Sequence, residues 1–552
     1  MKKIVILCIF AVTLIFSATQ ARSLDFDSVA PHPRLVLQSG DITAMRAMRS
    51  VSTSGRVAPE KILSRAEQLI GQETVAYPLT ESASEIMERM LYLSYAYLTS
   101  DDMRYARRAE QEMLAISAFR DWNPSSPKET ASLMMGLAIG YDWLYRALPV
   151  HSRSIIGTAI YEKGLKPLEG VASTERIVHL GLMFGALATI ERAPEYCKSV
   201  ISNSVVAFDG ITTEQGVQLT SIDEWGRELA LLAMYKQTLS AALGVDTSSS
   251  LMKELANVAQ TLDFMIAPSL LSYNYGGATA QAYSVAAKYW VAAEQQNPSL
   301  VAVDERLAAE GLFIEDFTLP LYMLFASSSD FSKAELTDDK TWTNDEFAIY
   351  RAGWGVGDTY LAIKGGAGSS AGEYVFEKDG VRWTSLTGGV DGRLVLDGES
   401  GDAHGDAQVQ DVYEASRRYS ATVDLSSLYS SRAMSAKRTV ELAKGDKLYV
   451  TDNIVCGSQP VTIEWSITTA AEAEIIDSNT IRLTHLGQML YLKVRSRTQA
   501  VAKVWPDEDG MRRVGFVLTA GARSEQNIEV SFTEDGSKRT FTLPRLNFIR
   551  KR

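Results

Sequence analysis

The stretch Ala326-Ser-Ser-Ser-Asp-Phe-Ser-Lys-Ala-Glu-Leu-Thr-Asp-Asp-Lys340 is where this chain changes character. It is polar and follows neither a helical nor a strand period, which marks it as a linker. From Ile42 to about Phe325 apolar residues recur at helical spacing, in Glu85–Leu98, Ala131–Tyr145, Thr174–Ile190, Glu224–Leu239 and Ala278–Ala293. Helices of similar length in tandem suit stacked hairpins that bury one face against their neighbours, as in an incomplete α/α toroid. After Asp345 the pattern turns to short, β-branched, alternating runs: Phe347–Arg351, Tyr360–Lys364, Leu394–Leu396, Lys447–Asp452, Val461–Thr468, Met489–Val494 and Asn527–Phe532. Turn signals at Lys378-Asp379-Gly380 and Lys444-Gly445-Asp446 punctuate them, as in an antiparallel β-sandwich. The expected fold is a multidomain α+β chain, an N-terminal incomplete α/α toroid followed by a C-terminal antiparallel β-sandwich. Its expected divisions are residues 1–21, 22–325, 326–344 and 345–552.

Residues 1–21 read as a secretory signal peptide: Met1-Lys2-Lys3, an apolar run from Ile4 to Phe16, and the small-residue finish Ser17-Ala18-Thr19-Gln20-Ala21. The expected location is therefore exported, periplasmic or extracellular. The run is too short to span a bilayer and no later stretch qualifies. Cys8 leaves with the leader, and Cys197 and Cys456 are expected as free, buried thiols. A formal charge of −12 argues against nucleic acid as a partner, and weakly against a heavily sulfated polyanion unless a locally basic cleft overrides it.

Several short segments, in their shared order, carry a family resemblance. They are His32-Pro33-Arg34-Leu35-Val36-Leu37, Asp121-Trp122-Asn123-Pro124, Gly136-Leu-Ala-Ile-Gly-Tyr-Asp-Trp-Leu-Tyr145, Gly185-Ala186-Leu187-Ala188, Tyr273-Asn274-Tyr275-Gly276, Gly380-Val381-Arg382-Trp383 and Ala421-Thr422-Val423-Asp424-Leu425. Together they resemble the heparinase II/III-like polysaccharide lyases over nearly the whole mature length. The resemblance implies a helical toroid whose cleft, closed by the sandwich, holds an acidic polysaccharide, and β-elimination beside a uronic acid. That reaction needs a group to neutralise the sugar carboxylate, a base for the carbon-bound proton and an acid for the leaving oxygen. Family members use asparagine or histidine for the first role and tyrosine or histidine for the others.

The chain departs from that pattern where the chemistry is expected. In Lys364-Gly-Gly-Ala-Gly-Ser-Ser-Ala-Gly-Glu-Tyr374, gapless alignment back from Gly380-Val381-Arg382-Trp383 sets the family's two histidines on Gly366 and Gly368 and its aspartate on Ser370. A second histidine motif reads Val390-Asp391-Gly392-Arg393, and Gln218 stands where a tyrosine is expected after Glu214. Candidate catalytic residues are His179, with Glu175 four residues earlier, and Tyr273 and Tyr275. Arg176, Asn123, Glu214, Trp225 and Arg227 are candidate substrate contacts, Trp225 as sugar platform or core residue and Arg227 as carboxylate clamp or surface ion pair. No cofactor is expected. Asp402, His404 and Asp406 alternate in one loop and offer either cation ligands or a solvated turn, and His404 can alternatively stand in for the missing motifs if its loop folds back over the cleft. Gly368-Ser369-Ser370-Ala371-Gly372 matches a nucleophile elbow in letters, but a strand-like segment follows it where the elbow needs a helix. Two functions result: a lyase acting on a uronate-containing glycan with a rearranged proton-transfer set, or a catalytically degenerate glycan-binding or scaffold protein.

Overall fold

The computed structural model describes residues 24–48, 53–78, 82–216, 222–245, 250–327, 329–368, 370–386, 392–416, 418–443, 446–505 and 510–535. The leader, Gln218, Ser369, Val390, Asp391 and the Lys444-Gly445 turn signal lie outside them. Among the described residues thirteen α-helices, from Ser39–Met48 to Leu319–Ala326, precede eighteen strands, from Thr341–Thr343 to Glu525–Thr533. No helix among them is long and apolar enough to cross a membrane.

Local chemistry sets the helical hairpins. Ser82 Oγ accepts from Glu85 N at 3.3 Å while Glu85 Oε2 accepts from Ser82 N at 3.1 Å, a reciprocal cap that starts helix Ala83–Ser100. Asp101 ends that helix in the left-handed region, and Asp102 caps Met103–Ala118 through Arg104 N at 2.9 Å. Two residues thus reverse the chain. Helix Pro127–Trp143 packs against both Ala83–Ser100 and Arg176–Ala188, and two glycines permit the approach. A Cβ on Gly136 would meet Met87 Cα at 2.9 Å, and one on Gly181 would meet the Ala131 carbonyl at 2.8 Å.

The His-Pro-Arg-Leu and Gly-Tyr-Asp-Trp motifs, a hundred residues apart, are one device. Asp142, completely buried, accepts from the backbone N–H groups of Arg34 and Leu35 at 2.8 Å each and from His32 Nδ1 at 2.5 Å. Arg34 Nη2 in turn meets His32 Nε2 at 2.5 Å. Since a guanidinium only donates, that contact requires the neutral ring with its proton on Nδ1. Trp143 Nε1 donates to Leu35 O at 2.9 Å and Val36 N to Thr238 Oγ1 at 3.0 Å, which hold Val36 at φ 62°, a conformation β-branched residues avoid.

By contacts the chain forms two compact units, one of the described residues within 1–43, 63–216 and 234–247, the other of those within 44–62, 217–233 and 248–552. The sandwich lies wholly in the second. Its strands form antiparallel sheets of nine, five and four, and Ala433–Ala443 and Lys447–Cys456 alternate buried and half-exposed positions as the period-two reading requires. Val450, Trp465, Phe516 and Phe532 belong to a core to which all three sheets contribute. Within it Arg438 and Asp452, cross-strand partners, form a bidentate pair at 2.8 and 2.9 Å. The same guanidinium donates to the carbonyls of Gly372, at 2.9 Å, and Gly392.

One local expectation is corrected. Ala278–Ala293 is helical only from Ala286, because Gly276 and Gly277 take φ 68° and 82° and Leu271 bridges Gln281, turning residues 271–281 into a hairpin-like loop. The polar segment around 329–340 lacks helix and strand yet is anchored, with Phe331 buried against Tyr289 and Thr337 O accepting from Trp354 Nε1 at 3.0 Å.

Candidate functional site

In the second unit, the loop carrying Tyr273-Asn274-Tyr275-Gly276 packs on the strands that flank the glycine-rich segment. Strand Tyr360–Lys364 pairs with Tyr374–Lys378, and two further bonds, Lys364 N to Glu373 O at 3.1 Å and Gly372 N to Lys364 O at 2.8 Å, join the two ends of the glycine-rich segment. Gly366-Ala367 pairs instead with Asp406-Ala407, which draws the loop to the nine-stranded sheet. Gly366 and Gly368 adopt φ 74° and 99°, where a side chain is strained.

Glu373 is the hub. Its carbonyl accepts from Tyr273 Oη at 2.6 Å, its Oε2 from Gly276 N at 3.1 Å, and its Oε1 stands 3.6 Å from Arg393 Nε. Asn274 Nδ2 donates to Leu386 O at 2.7 Å, and Arg382 joins Ser272 O at 2.8 Å to Glu377 at 2.6 Å. The rings of Tyr273 and Tyr275 lie 5.5 Å apart, and Tyr275 packs on Phe347 at 5.1 Å. Lys364 Nζ sits 5.3 Å from the Tyr275 ring centre and 5.1 Å from that of Phe347, a double cation–π contact.

Burial dictates what these groups can do. Tyr273 and Tyr275 have no exposed surface, and desolvation pushes the Tyr273 phenol well above its usual pKa, with the Glu373 charge adding to it. In this arrangement Tyr273 is a proton donor, already spent on a carbonyl. Burial pulls the Lys364 ammonium below its usual value, opposed by Glu346, Glu373 and Asp406. Lys364, Glu373 and Glu346 escaped the motif reading, although Lys364 and Glu373 bracket the glycine-rich loop itself; charged residues closing a loop look solvated in sequence.

The other candidates are placed as follows. His179, buried on helix Arg176–Ala188, bonds through Nε2 to Ser173 O at 2.9 Å. Glu175 does not partner it: Glu175 sits at the N-cap with extended backbone and pairs with Lys128 at 3.6 Å. Arg176 is buried and donates to Gly216 O and Thr212 Oγ1. Asn123, exposed at φ 56°, joins Glu129 at 2.6 Å and Ser125 at 2.5 Å in a polar turn. Glu214 is exposed near the end of helix Pro194–Gln215. All five belong to the first unit. In the second, Trp225 is completely buried, as a core residue is, and exposed Arg227 pairs with Asp316 at 3.4 Å.

Asp402 Oδ1 accepts from His404 N at 2.9 Å, folding that loop as a turn. Among the described residues no three His, Cys, Asp or Glu side chains gather as a metal site. Strand Tyr374–Lys378 follows the Gly-x-Ser-x-Gly letters, so the helix an elbow requires is absent there.

No family model and no curated protein matches the chain in sequence. Solved structures do match in fold. A mutant of the heparan sulfate lyase HepC from Pedobacter heparinus superposes with a TM-score of 0.59 at 13% identity, over 84% of this chain and 79% of that one. The heparinase III BT4657 gene product gives 0.58 at 11% identity, over 83% and 80%. A further heparinase III gives 0.59 at 9%, over 81% and 76%. The resemblance to heparinase II/III-like lyases holds at the level of architecture: this chain has the heparinase III fold, a helical toroid followed by an antiparallel β-sandwich.

Proposed function

We propose that the protein is an exported polysaccharide-lyase-like protein that engages a uronic-acid-containing glycan and performs β-elimination beside the carboxylate. The observation that supports this most directly is the packing of the Tyr-Asn-Tyr-Gly loop onto Glu373 beside the glycine-rich segment, in a chain with the heparinase III fold. Lys364 Nζ stands 5.3 Å from the Tyr275 ring centre, and Tyr275 is the residue to which we assign the proton transfer. No histidine stands at 366 or 368 to share the work.

A second reading has its own support. Both tyrosines are fully buried and Tyr273 is held protonated, which suits a relative that binds glycan without cleaving it. Incubating the mature protein with alginates, glycosaminoglycans, pectins and glucuronans, and following ultraviolet absorbance of unsaturated uronate ends, separates the two. Product that disappears in Tyr275→Phe supports elimination. Binding of a polymer with no product from any supports the binding protein.

A further inference from the structure

Lys364 is a buried cation with most of its bonding capacity unspent. It is 3% exposed, and among the described residues its one hydrogen bond goes to Gly365 O at 3.0 Å. It forms no ion pair with any carboxylate among the described residues. An ammonium carries three donors, and leaving two unmet inside a protein is costly. Across from it, Glu346 Oε2 is buried and accepts no hydrogen bond among the described residues. A Cβ built on Gly366 would stand 3.1 Å from Lys364 Nζ and 3.1 Å from Glu346 Cγ. The ammonium and the glutamate therefore flank the face from which a side chain at 366 would project. Neighbouring Ala367 and Gly276 are exposed, so the cluster lies close to the surface.

We propose that Lys364 is the group that receives and neutralises the uronate carboxylate, from a position two residues before the one where an imidazole is missing. This rests on the lyase-like reading and deepens it. A carboxylate bound at Nζ meets the two idle donors and gives the ammonium the direct ion-pair partner it lacks among the described residues. Neutralising that carboxylate lowers the cost of removing the adjacent proton, because the negative charge that develops spreads onto a group already paired with a cation. Glu346 faces the same space and helps keep the ammonium charged until the ligand arrives.

The same burial that depresses the Lys364 pKa supplies a signature. A ligand carboxylate restores the ammonium toward its usual value, so binding at basic pH takes up protons.

The test is calorimetric titration of the wild type, Lys364→Met and Lys364→Arg with tetrasaccharides of glucuronate, mannuronate and galacturonate and with their carboxyl-reduced counterparts. Each is run in two buffers of different ionisation heat at basic pH. The expected result is wild-type binding of at least one uronate with proton uptake, and much weaker binding of its carboxyl-reduced form. Lys364→Met should lose at least about thirtyfold in affinity, the lower end for a broken buried charge pair. Lys364→Arg should keep binding without proton uptake, since a guanidinium does not titrate there. Wild-type-like binding and product formation in Lys364→Met overturn the assignment and leave the lyase reading standing. Carboxylate-dependent binding without unsaturated product upholds the assignment and removes catalysis. No binding of any uronate by the wild type overturns both.

Discussion

Removing the Asp142 carboxylate should loosen the segment around Val36 more than any neighbouring change. Its Oδ2 is the acceptor of two buried backbone N–H groups at 2.8 Å and its Oδ1 fixes the His32 ring at 2.5 Å. In Asp142→Ala both amides are orphaned, at about 1–3 kcal/mol each. With the ring contact added, the expected loss is about 3–5 kcal/mol, the range for breaking a buried charged network. Asp142→Asn is the informative control. Its carbonyl oxygen can still accept from Arg34 N and Leu35 N, but its amide then points donors at Nδ1–H. Turning the proton to Nε2 only moves the conflict to Arg34. The Asn variant should therefore lose about 1.5–3 kcal/mol, the value of a charge-assisted bond. Because the chain forms two compact units, one global transition is a poor readout. Hydrogen exchange of the peptide spanning residues 33–37 is local, and its protection should fall by about a hundredfold to a few thousandfold in the Ala variant. Protection within tenfold of wild type, or an Asn variant as open as Ala, would refute the argument that this carboxylate holds the motif.

The remaining predictions concern the second unit and the thiols. Tyr273→Phe removes the 2.6 Å donor to the buried Glu373 carbonyl, which keeps Lys364 N, and should cost about 0.5–1.5 kcal/mol, read as faster hydrogen exchange of the peptide spanning residues 271–278; unchanged protection would show that the hydroxyl does not hold the loop. Lys288 joins Asp263 and Asp304 in a buried triad, and burial, reinforced by Asp304 and offset by Lys288, raises the Asp263 pKa. A raised carboxyl contributes stability that is complete below the unfolded value of about 3.9 and is lost as pH rises through the folded one. Asp263→Asn should flatten that decline in a stability profile across the acidic range, and a parallel profile would count against it. Cys197 is buried with its thiol pushed up to about 11, first by desolvation; a thiol reagent should label it only upon denaturation, and rapid native labelling would contradict the burial.

The sequence revealed architecture through period and site chemistry hardly at all. Strands Phe347–Arg351 and Tyr360–Lys364 were legible to the residue as short, mostly apolar runs, although both are buried at nearly every position rather than on alternate ones. Ala278–Ala293 misled because its apolar spacing fits a helix while Gly276-Gly277, just upstream, diverts the backbone. The meeting of His32-Pro-Arg-Leu with Asp142 was visible only as two separate resemblances. Glu175 and His179 looked paired because four residues is one helical turn, yet the helix begins at Arg176, so Glu175 lies outside it. Lys364 and Glu373 stayed hidden for a different reason: nothing in a linear pattern says that a charged residue at a loop edge is roofed by two aromatic rings from elsewhere.

Arg438 ties the sandwich together through the main chain. It donates to the carbonyl oxygens of Gly372 and Gly392, twenty positions apart, and is itself fixed to Asp452. Every residue type has a carbonyl, so these bonds themselves read no side chain; the constraint lies in the backbone, since Gly366, Gly368, Gly372 and Gly392 all take positive φ. The frame around the glycine-rich segment is thus held by main-chain atoms, with Lys364 on the strand that leads into it.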